Sequence, residues 1–139
     1  MKKLKAIAIT VLMFLVSCTS AFAMQDTILA PATKTATYTS PDKNKTGYST
    51  VVVLMNVTAV PGVTTLTLTI QGKDAHGNYY TLCSSIASAT TGYVVLTAGT
   101  GAFNVINSTC NVVLPDTWNV VVTHSTTGSF TYGIDYNTQ

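Results

Sequence analysis

Few side chains in this chain of 139 residues have the types and the spacing that catalysis requires. The two histidines are His76 and His124, and His76 follows Asp74 by two positions in a segment that is typical of a turn. That spacing does not make a Ser-His-Asp triad, and no Gly-x-Ser-x-Gly nucleophile elbow occurs. The five acidic residues are all aspartates and offer no carboxylate pair of the glycosidase kind. We therefore expect a protein that is not an enzyme and has no catalytic residue.

Metal ligands are not suitably spaced either. The chain contains neither Cys-x-x-Cys nor His-x-His, and such spacings are typical of transition-metal sites. Residues 74–78 (DAHGN) weakly resemble an oxygen-rich calcium loop, but they lack its repeated aspartates and its closing glutamate. The better interpretation is the polar tip of a hairpin, and we expect no metal and no cofactor.

The cysteines offer the clearest covalent chemistry. Cys83 and Cys110 are the only two beyond residue 23, and two cysteines in an exported domain favour one disulfide. The alternative is a pair of separate buried thiols. A bridge also needs Cα atoms within about 7 Å of each other, which the sequence does not reveal.

The first 23 residues have the layout of a secretory signal. A lysine-rich start precedes an apolar run over residues 6–16, and the small-x-small triplet AFA ends at Ala23. We therefore predict a signal peptide that is cleaved after Ala23. The apolar run is shorter than the about 20 residues that a membrane-spanning helix needs.

A second interpretation of the same segment leads to a lipid anchor. Residues 15–18 (LVSC) fit a lipobox, in which Cys18 would become the lipid-modified first residue. We favour Ala23, because AFA lies at a normal distance from the apolar run. The expected location is secreted or extracellular, a virion included, with an outer-membrane lipoprotein as the alternative. Membrane contact is expected only if Cys18 is lipidated.

The composition after residue 23 points to a weakly charged β protein. Four lysines and five aspartates, with no arginine and no glutamate, give a net charge of −1. The chain has no basic patch, so nucleic-acid binding has no electrostatic support. Abundant Thr, Val and Tyr favour strands, and the length fits one domain.

Alternating apolar and polar residues predict the strands. In residues 64–71 (TTLTLTIQ) every second side chain is apolar, which is typical of a half-buried strand. Further candidates, with no helical pattern between them, are residues 33–40, 48–58, 79–84, 91–97, 103–106, 117–124 and 129–136. We predict an all-β fold, an antiparallel two-sheet sandwich of seven or eight strands that is immunoglobulin-like or jelly-roll-like.

The expected domain organisation is a signal over residues 1–23, an extended N-terminal arm over 24–32 and a single domain over 33–139. Terminal strands often form sheet edges, so we expect edges at residues 33–40 and 129–136. Trp118 begins a strong strand and is expected in the core.

Several segments occur in an order that resembles the small structural proteins of tailed bacteriophages and prophages, such as those that decorate heads. They are VVVL at 51–54, NVTAVPG at 56–62, LTLTIQGKD at 66–74, GNYYTL at 77–82, LPDTWNVVVTH at 114–124 and FTYGI at 130–134. The resemblance covers most of residues 48–136. It implies a non-enzymatic β-sandwich that works through assembly.

Two functional hypotheses follow. In the first, the chain is an exported structural protein that self-associates or docks on a larger protein assembly without turnover. In the second, it is a secreted or lipid-anchored binding module that holds carbohydrate or a host surface through its loops and tyrosines.

Overall fold

The computed structural model describes residues 24–62, 64–85, 87–100 and 108–139. The predictions of cleavage after Ala23 and of lipidation at Cys18 lie outside these residues. Within them the chain forms ten β-strands, and none of its elements is a helix able to cross a membrane. The strands are β1 Met24–Lys34, β2 Tyr38–Thr39, β3 Lys43–Asn44, β4 Thr50–Ala59, β5 Leu66–Lys73, β6 Tyr79–Ser84, β7 Gly92–Gly99, β8 Ser108–Cys110, β9 Thr117–His124 and β10 Phe130–Thr138.

The strands form two sheets. Sheet A has the order β1-β10-β4-β7-β8, and sheet B has the order β2-β9-β5-β6, with β3 also paired to β9. Neighbouring strands are antiparallel, with the exception of β7 and β8, which run parallel. The purely antiparallel arrangement that the sequence predicts is therefore modified at one edge of sheet A.

The pairing follows a nested pattern. β5 pairs with β6, β4 with β7, β2 and β3 with β9, and β1 with β10, and successive pairs fall in alternate sheets. This is a long hairpin rolled up on itself, which is the jelly-roll arrangement. The all-β two-sheet prediction is confirmed, and the strand order fits its jelly-roll-like version. The strands are more numerous than predicted, because β2, β3 and β8 are too short to show a period.

The core lies between the inward faces of the two sheets. Leu66, Leu68 and Ile70 of β5 are buried, as the alternation predicts, and the threonines between them are half-buried. Trp118 is fully buried, which confirms its expected place. The other large side chains with almost no exposure are Val51, Val53, Met55, Leu96, Leu114, Phe130, Tyr132 and Ile134. Burial of each such side chain stabilises the fold by roughly 1.5–3 kcal/mol relative to exposure.

The expected edge at residues 129–136 is wrong. β10 lies between β1 and β4, because the segment that contains the expected arm forms β1 and pairs along β10, with Met24 opposite Thr138. The other expected edge, residues 33–40, is confirmed, since it covers the end of β1 and all of β2, which are edge strands.

The sheet edges carry features that hinder pairing with a further strand. β1 has two register shifts and contains Pro31, whose Cγ lies 3.1 Å from the position that a Cβ on Gly133 would take. β2 and β3 have two residues each, with Pro41 between them, and β8 has three. β6 is interrupted by a register shift opposite β5. Short strands, prolines and bulges are recognised protections against edge-to-edge association.

Cys83 of β6 and Cys110 of β8 form the predicted disulfide, with their Cα atoms 5.7 Å apart. β6 is an edge of sheet B and β8 is an edge of sheet A, so the bridge fastens the two sheets along one side. On the opposite side the chain itself crosses from β1 to β2, and the Tyr38 hydroxyl donates to the Ile28 carbonyl at 3.5 Å. Both sides of the sandwich are therefore tied.

Candidate functional site

Formal charge is concentrated at one end of the sandwich, which we call the charged end. It contains the β5–β6 turn, β3 and the segment before β9, and it holds seven of the nine charged residues beyond residue 23. The seven are Asp26, Asp42, Lys43, Lys45, Lys73, Asp74 and Asp116. The opposite end is formed by the described residues of segments 35–37, 60–65, 85–91 and 125–129. These segments contain no Asp, Glu, Lys, Arg or His, and we call this the uncharged end.

Three side chains at the charged end form a compact polar cluster. Lys73 Nζ donates to Asp42 Oδ2 at 2.8 Å, and the Tyr79 hydroxyl donates to Asp42 Oδ1 at 2.6 Å. Lys73 Nζ also lies 5.1 Å from the centre of the Tyr79 ring. These contacts, the bond from Lys73 first, hold the pKa of Asp42 below its usual value. The cluster joins the β2–β3 segment to the β5–β6 hairpin and neutralises one charge of each sign.

The β5–β6 turn is held by Asp74. Its Oδ1 accepts bonds from the backbone N–H groups of His76 and Asn78, both at 2.8 Å, and its Oδ2 accepts one from Asn78 Nδ2 at 3.2 Å. The bonds from Asn78, followed by that from His76, lower the pKa of the Asp74 carboxyl. Donors of the loop itself thus occupy the carboxylate, as in an Asx-type turn. This geometry agrees with the interpretation as a polar hairpin tip.

An open groove of about 470 Å³ lies beside this turn. Its polar lining includes Lys45, Lys73, Asp74 and Asp116, and its apolar lining includes Val113 and Pro115. Lys45 Nζ donates to the Leu114 carbonyl at 3.0 Å and so retains two further N–H donors. Val113 is 73% exposed, which leaves apolar surface open to the groove. The groove therefore combines donors, acceptors and apolar surface, with no net charge on its walls.

Tyr80 lies next to the apolar side of the groove. A Cβ on Gly72 would lie 2.7 Å from Pro115 Cγ and 2.9 Å from Tyr80 Cζ, so both rings press on the backbone at this position. Only glycine permits that approach without a shift of the rings. Tyr80 is nevertheless 46% exposed, so its ring presents a fixed, partly open aromatic surface.

The loops of the uncharged end are tied to their neighbours. Thr65 and Ser125 exchange two hydrogen bonds, at 2.9 and 3.0 Å, and Leu66 and Ser88 exchange two backbone bonds at 2.8 Å. The exposed side chains around them are small and uncharged. They include Thr35, Ala36, Thr37, Ala87, Ala89, Thr90, Thr91, Thr126, Thr127 and Ser129.

The two histidines lie at opposite ends of the molecule. His76 is exposed in the β5–β6 turn, and its bond to Asp74 uses the backbone N–H, so the imidazole is not paired with that carboxylate. His124 Nε2 lies 3.2 Å from the Tyr132 hydroxyl, and its ring centre lies 4.4 Å from that of Phe130. Its Nδ1 is buried without a partner among the described residues, and burial lowers the pKa of His124.

Across the described ranges, no three His, Cys, Asp or Glu side chains gather in a way that could hold a metal ion. Sequence reasoning did not find the groove, because Lys45, Lys73 and Asp116 come from separate segments. The loops that carry Lys45 and Lys73 were identified as polar, but no local pattern indicates that they meet.

A scan against models of known protein families and a search of curated proteins found no match to this chain. The function must therefore be argued from the geometry of the two ends.

Proposed function

We propose that this protein is a non-enzymatic structural subunit that docks on a larger protein assembly, as the phage decoration proteins it resembles do, after export by its N-terminal signal. The observation that carries the proposal is the separation of a charged end from an uncharged end.

An end without charges is suited to burial against another protein. A charge buried without a partner costs several kcal/mol, and the cores of protein interfaces are depleted of charged residues. Glycine and alanine also lose no side-chain entropy when they are ordered. Because the loops are already tied through Thr65, Ser125 and Ser88, docking would have little chain left to order.

Docking through an end agrees with the protected sheet edges. Register shifts in β1 and β6, and the prolines in β1 and between β2 and β3, hinder addition of a strand from a neighbour. The Cys83–Cys110 bridge additionally holds β6 in place. We therefore assign the contact to the loops of the uncharged end, rather than to pairing along residues 33–40 or exchange of β1.

The jelly roll gives support by analogy. Viral capsid domains and lectin domains both use this arrangement. A fold hosts many functions, so the analogy is compatible with both candidate functions and decides between neither.

A matched pair of substitutions tests the docking surface. Thr127→Lys adds a charge at the uncharged end, and Thr46→Lys adds the same charge at an exposed position of the charged end. We expect wild type and Thr46→Lys to associate in light scattering over a concentration series, or to co-purify with particles from the source. Thr127→Lys should lose that association. A strict monomer at high concentration, absent from every particle or surface array, would overturn the proposal.

Export is tested separately by N-terminal sequencing and intact mass of the purified protein. A chain that starts at Met24 supports cleavage after Ala23. A diacylglyceryl mass on Cys18 would favour the lipid anchor instead, and recovery of an intact Met1 chain from expressing cells would contradict export.

The exposed tyrosines favour a second candidate function, a secreted or lipid-anchored module that binds carbohydrate or a host surface. Tyr79 and Tyr80 are 44% and 46% exposed and lie at the charged end, whereas Tyr93 is 66% exposed on β7. Large exposed aromatic surfaces rimmed by polar residues are typical of ligand-binding or interaction sites.

A further inference from the structure

We infer that the groove at the charged end is a binding site for a neutral saccharide, with Tyr80 as its stacking surface and with Lys45 and Asp116 as its hydrogen-bonding groups. The inference gives a site to the second candidate function, on which its ligand class rests. It is independent of docking through the uncharged end, and both can hold in one molecule, because the two surfaces lie at opposite ends.

The size and the charge of the groove limit the class of ligand. A volume of about 470 Å³ falls within the range of roughly 300–1,000 Å³ that is usual for small-molecule sites. Two lysines and two aspartates cancel, and Lys73 and Asp74 are already engaged by Asp42 and by the turn. An ion would gain no net attraction here, whereas a neutral ligand rich in hydroxyls finds both donors and acceptors.

The remaining polar groups suit a hydroxyl ligand. The Lys45 backbone N–H donates to the Asp116 carbonyl at 2.7 Å, so a fixed segment of backbone holds these two residues next to each other. Lys45 Nζ retains two N–H donors, and the Asp116 side chain is an exposed acceptor on the groove wall. A sugar hydroxyl both donates and accepts, so adjacent hydroxyls can satisfy the ammonium and the carboxylate together.

The apolar groups supply the second requirement. One face of a pyranose ring consists largely of C–H groups, and such a face packs on a flat aromatic ring. Tyr80 is held in place where its ring and Pro115 meet Gly72, and Val113 extends the apolar surface. Because the Asp74 turn and the Asp42–Lys73 pair also fix the rim, little ordering is required when a ligand binds.

Calorimetric titration of the mature protein tests the site, with maltohexaose, cellohexaose and chitohexaose as neutral probes and a heparin hexasaccharide as the anionic comparison. We expect saturable binding of at least one neutral probe, and affinity about tenfold weaker in Tyr80→Ala and in Asp116→Asn. Tyr93→Ala removes an exposed tyrosine from β7 and should leave the affinity unchanged. Because Tyr80 contacts the Gly72 region, Asp116→Asn at an exposed position keeps the test valid if Tyr80→Ala does not fold.

Failure to bind any neutral probe overturns the inference, as does stronger binding of the heparin probe. Binding that survives both groove substitutions but is lost in Tyr93→Ala rejects the groove and leaves the binding-module function standing. Titration with the matching polysaccharide separates a surface glycan from a free oligosaccharide, and saturable groove-dependent binding of either one supports the site. Thr127→Lys should keep full saccharide affinity, so failure of docking and failure of this inference are distinguished.

Discussion

The indole N–H of Trp118 donates a hydrogen bond to the Tyr48 hydroxyl at 2.8 Å. Trp118 is fully buried in β9, and its ring meets the ring of Tyr136 edge-on, with the centres 5.5 Å apart. The Tyr48 hydroxyl in turn donates to the Asn44 carbonyl at 3.3 Å. The bond therefore ties the central tryptophan of sheet B to the segment that carries the chain from β3 to β4 in sheet A.

Tyr48→Phe should lower the free energy of unfolding by about 1–3 kcal/mol, because it leaves the buried Trp118 N–H without its acceptor. Urea denaturation measures the change. Tyr93→Phe removes the same hydroxyl from a side chain that is 66% exposed and should change little. Equal effects of the two substitutions would show that the Trp118 bond contributes nothing measurable.

Stability should fall as the pH is lowered from about 7.5 to about 5, because of His124. Burial holds the pKa of His124 below its usual 6.5, so the unfolded chain takes up the proton at a higher pH than the folded protein does. Protonation therefore favours unfolding once the pH falls below the unfolded pKa, and the loss continues until the folded pKa is reached. The measurement is the urea midpoint at each pH.

Two histidine variants identify the source of that pH dependence. His124→Gln should remove most of the difference between the two midpoints, whereas His76→Gln, at an exposed histidine, should preserve it. Asp42 and Asp74 have lowered pKa values and titrate below this window. A difference that persists unchanged in His124→Gln would contradict the assignment.

Replacement of both Cys83 and Cys110 by alanine should lower the melting temperature by on the order of 10 °C. The bridge spans a sequence separation of 27 residues, and the chain-entropy relation gives roughly 3–4 kcal/mol for a loop of that length. Circular dichroism measures the melting of wild type, the double variant and reduced wild type, and the last two should agree. Two reactive thiols in the oxidised, unfolded wild-type domain would disprove the bridge.

Gly72→Ala should destabilise the fold by about 1–3 kcal/mol, because the new Cβ would lie 2.7 Å from the Pro115 ring and 2.9 Å from Tyr80. Gly133→Ala is the comparison, since its closest contact would be at 3.1 Å, with Pro31 on the edge strand β1, which can shift. Thermal melting should therefore rank Gly72→Ala as the more damaging change. The opposite ranking would show that Tyr80 and Pro115 move aside easily.

Local pattern was enough for strands with one buried face. The predicted segments 79–84 and 117–124 coincide with β6 and β9, and the alternation through Leu66, Leu68 and Ile70 identified the buried face of β5. These features depend on neighbouring residues in the chain, so a single sequence contains the signal. The pairing of Cys83 with Cys110 needed only the count of cysteines and an oxidising compartment.

Strand order and the groove depend on contacts between distant segments. β10 was expected at an edge, but its partner β1 comes from the other end of the chain, and no alternation in either strand specifies that pairing. β8 has three residues, too few for a period, and it occurs where a loop was expected. The groove likewise joins Lys45, Lys73 and Asp116 through the rolled topology, which a linear pattern does not encode.

The pairing of Met24 with Thr138 has a practical consequence for work with this domain. The first and last strands lie side by side in sheet A, so a reporter or affinity tag fused to either terminus would be displayed at the same end as the groove. The loops around Thr65 and Ser125 lie at the far end and would stay clear of that cargo. Display of fused cargo should thus leave attachment through those loops intact, while a bulky fusion partner without a spacer would crowd the approach to Tyr80.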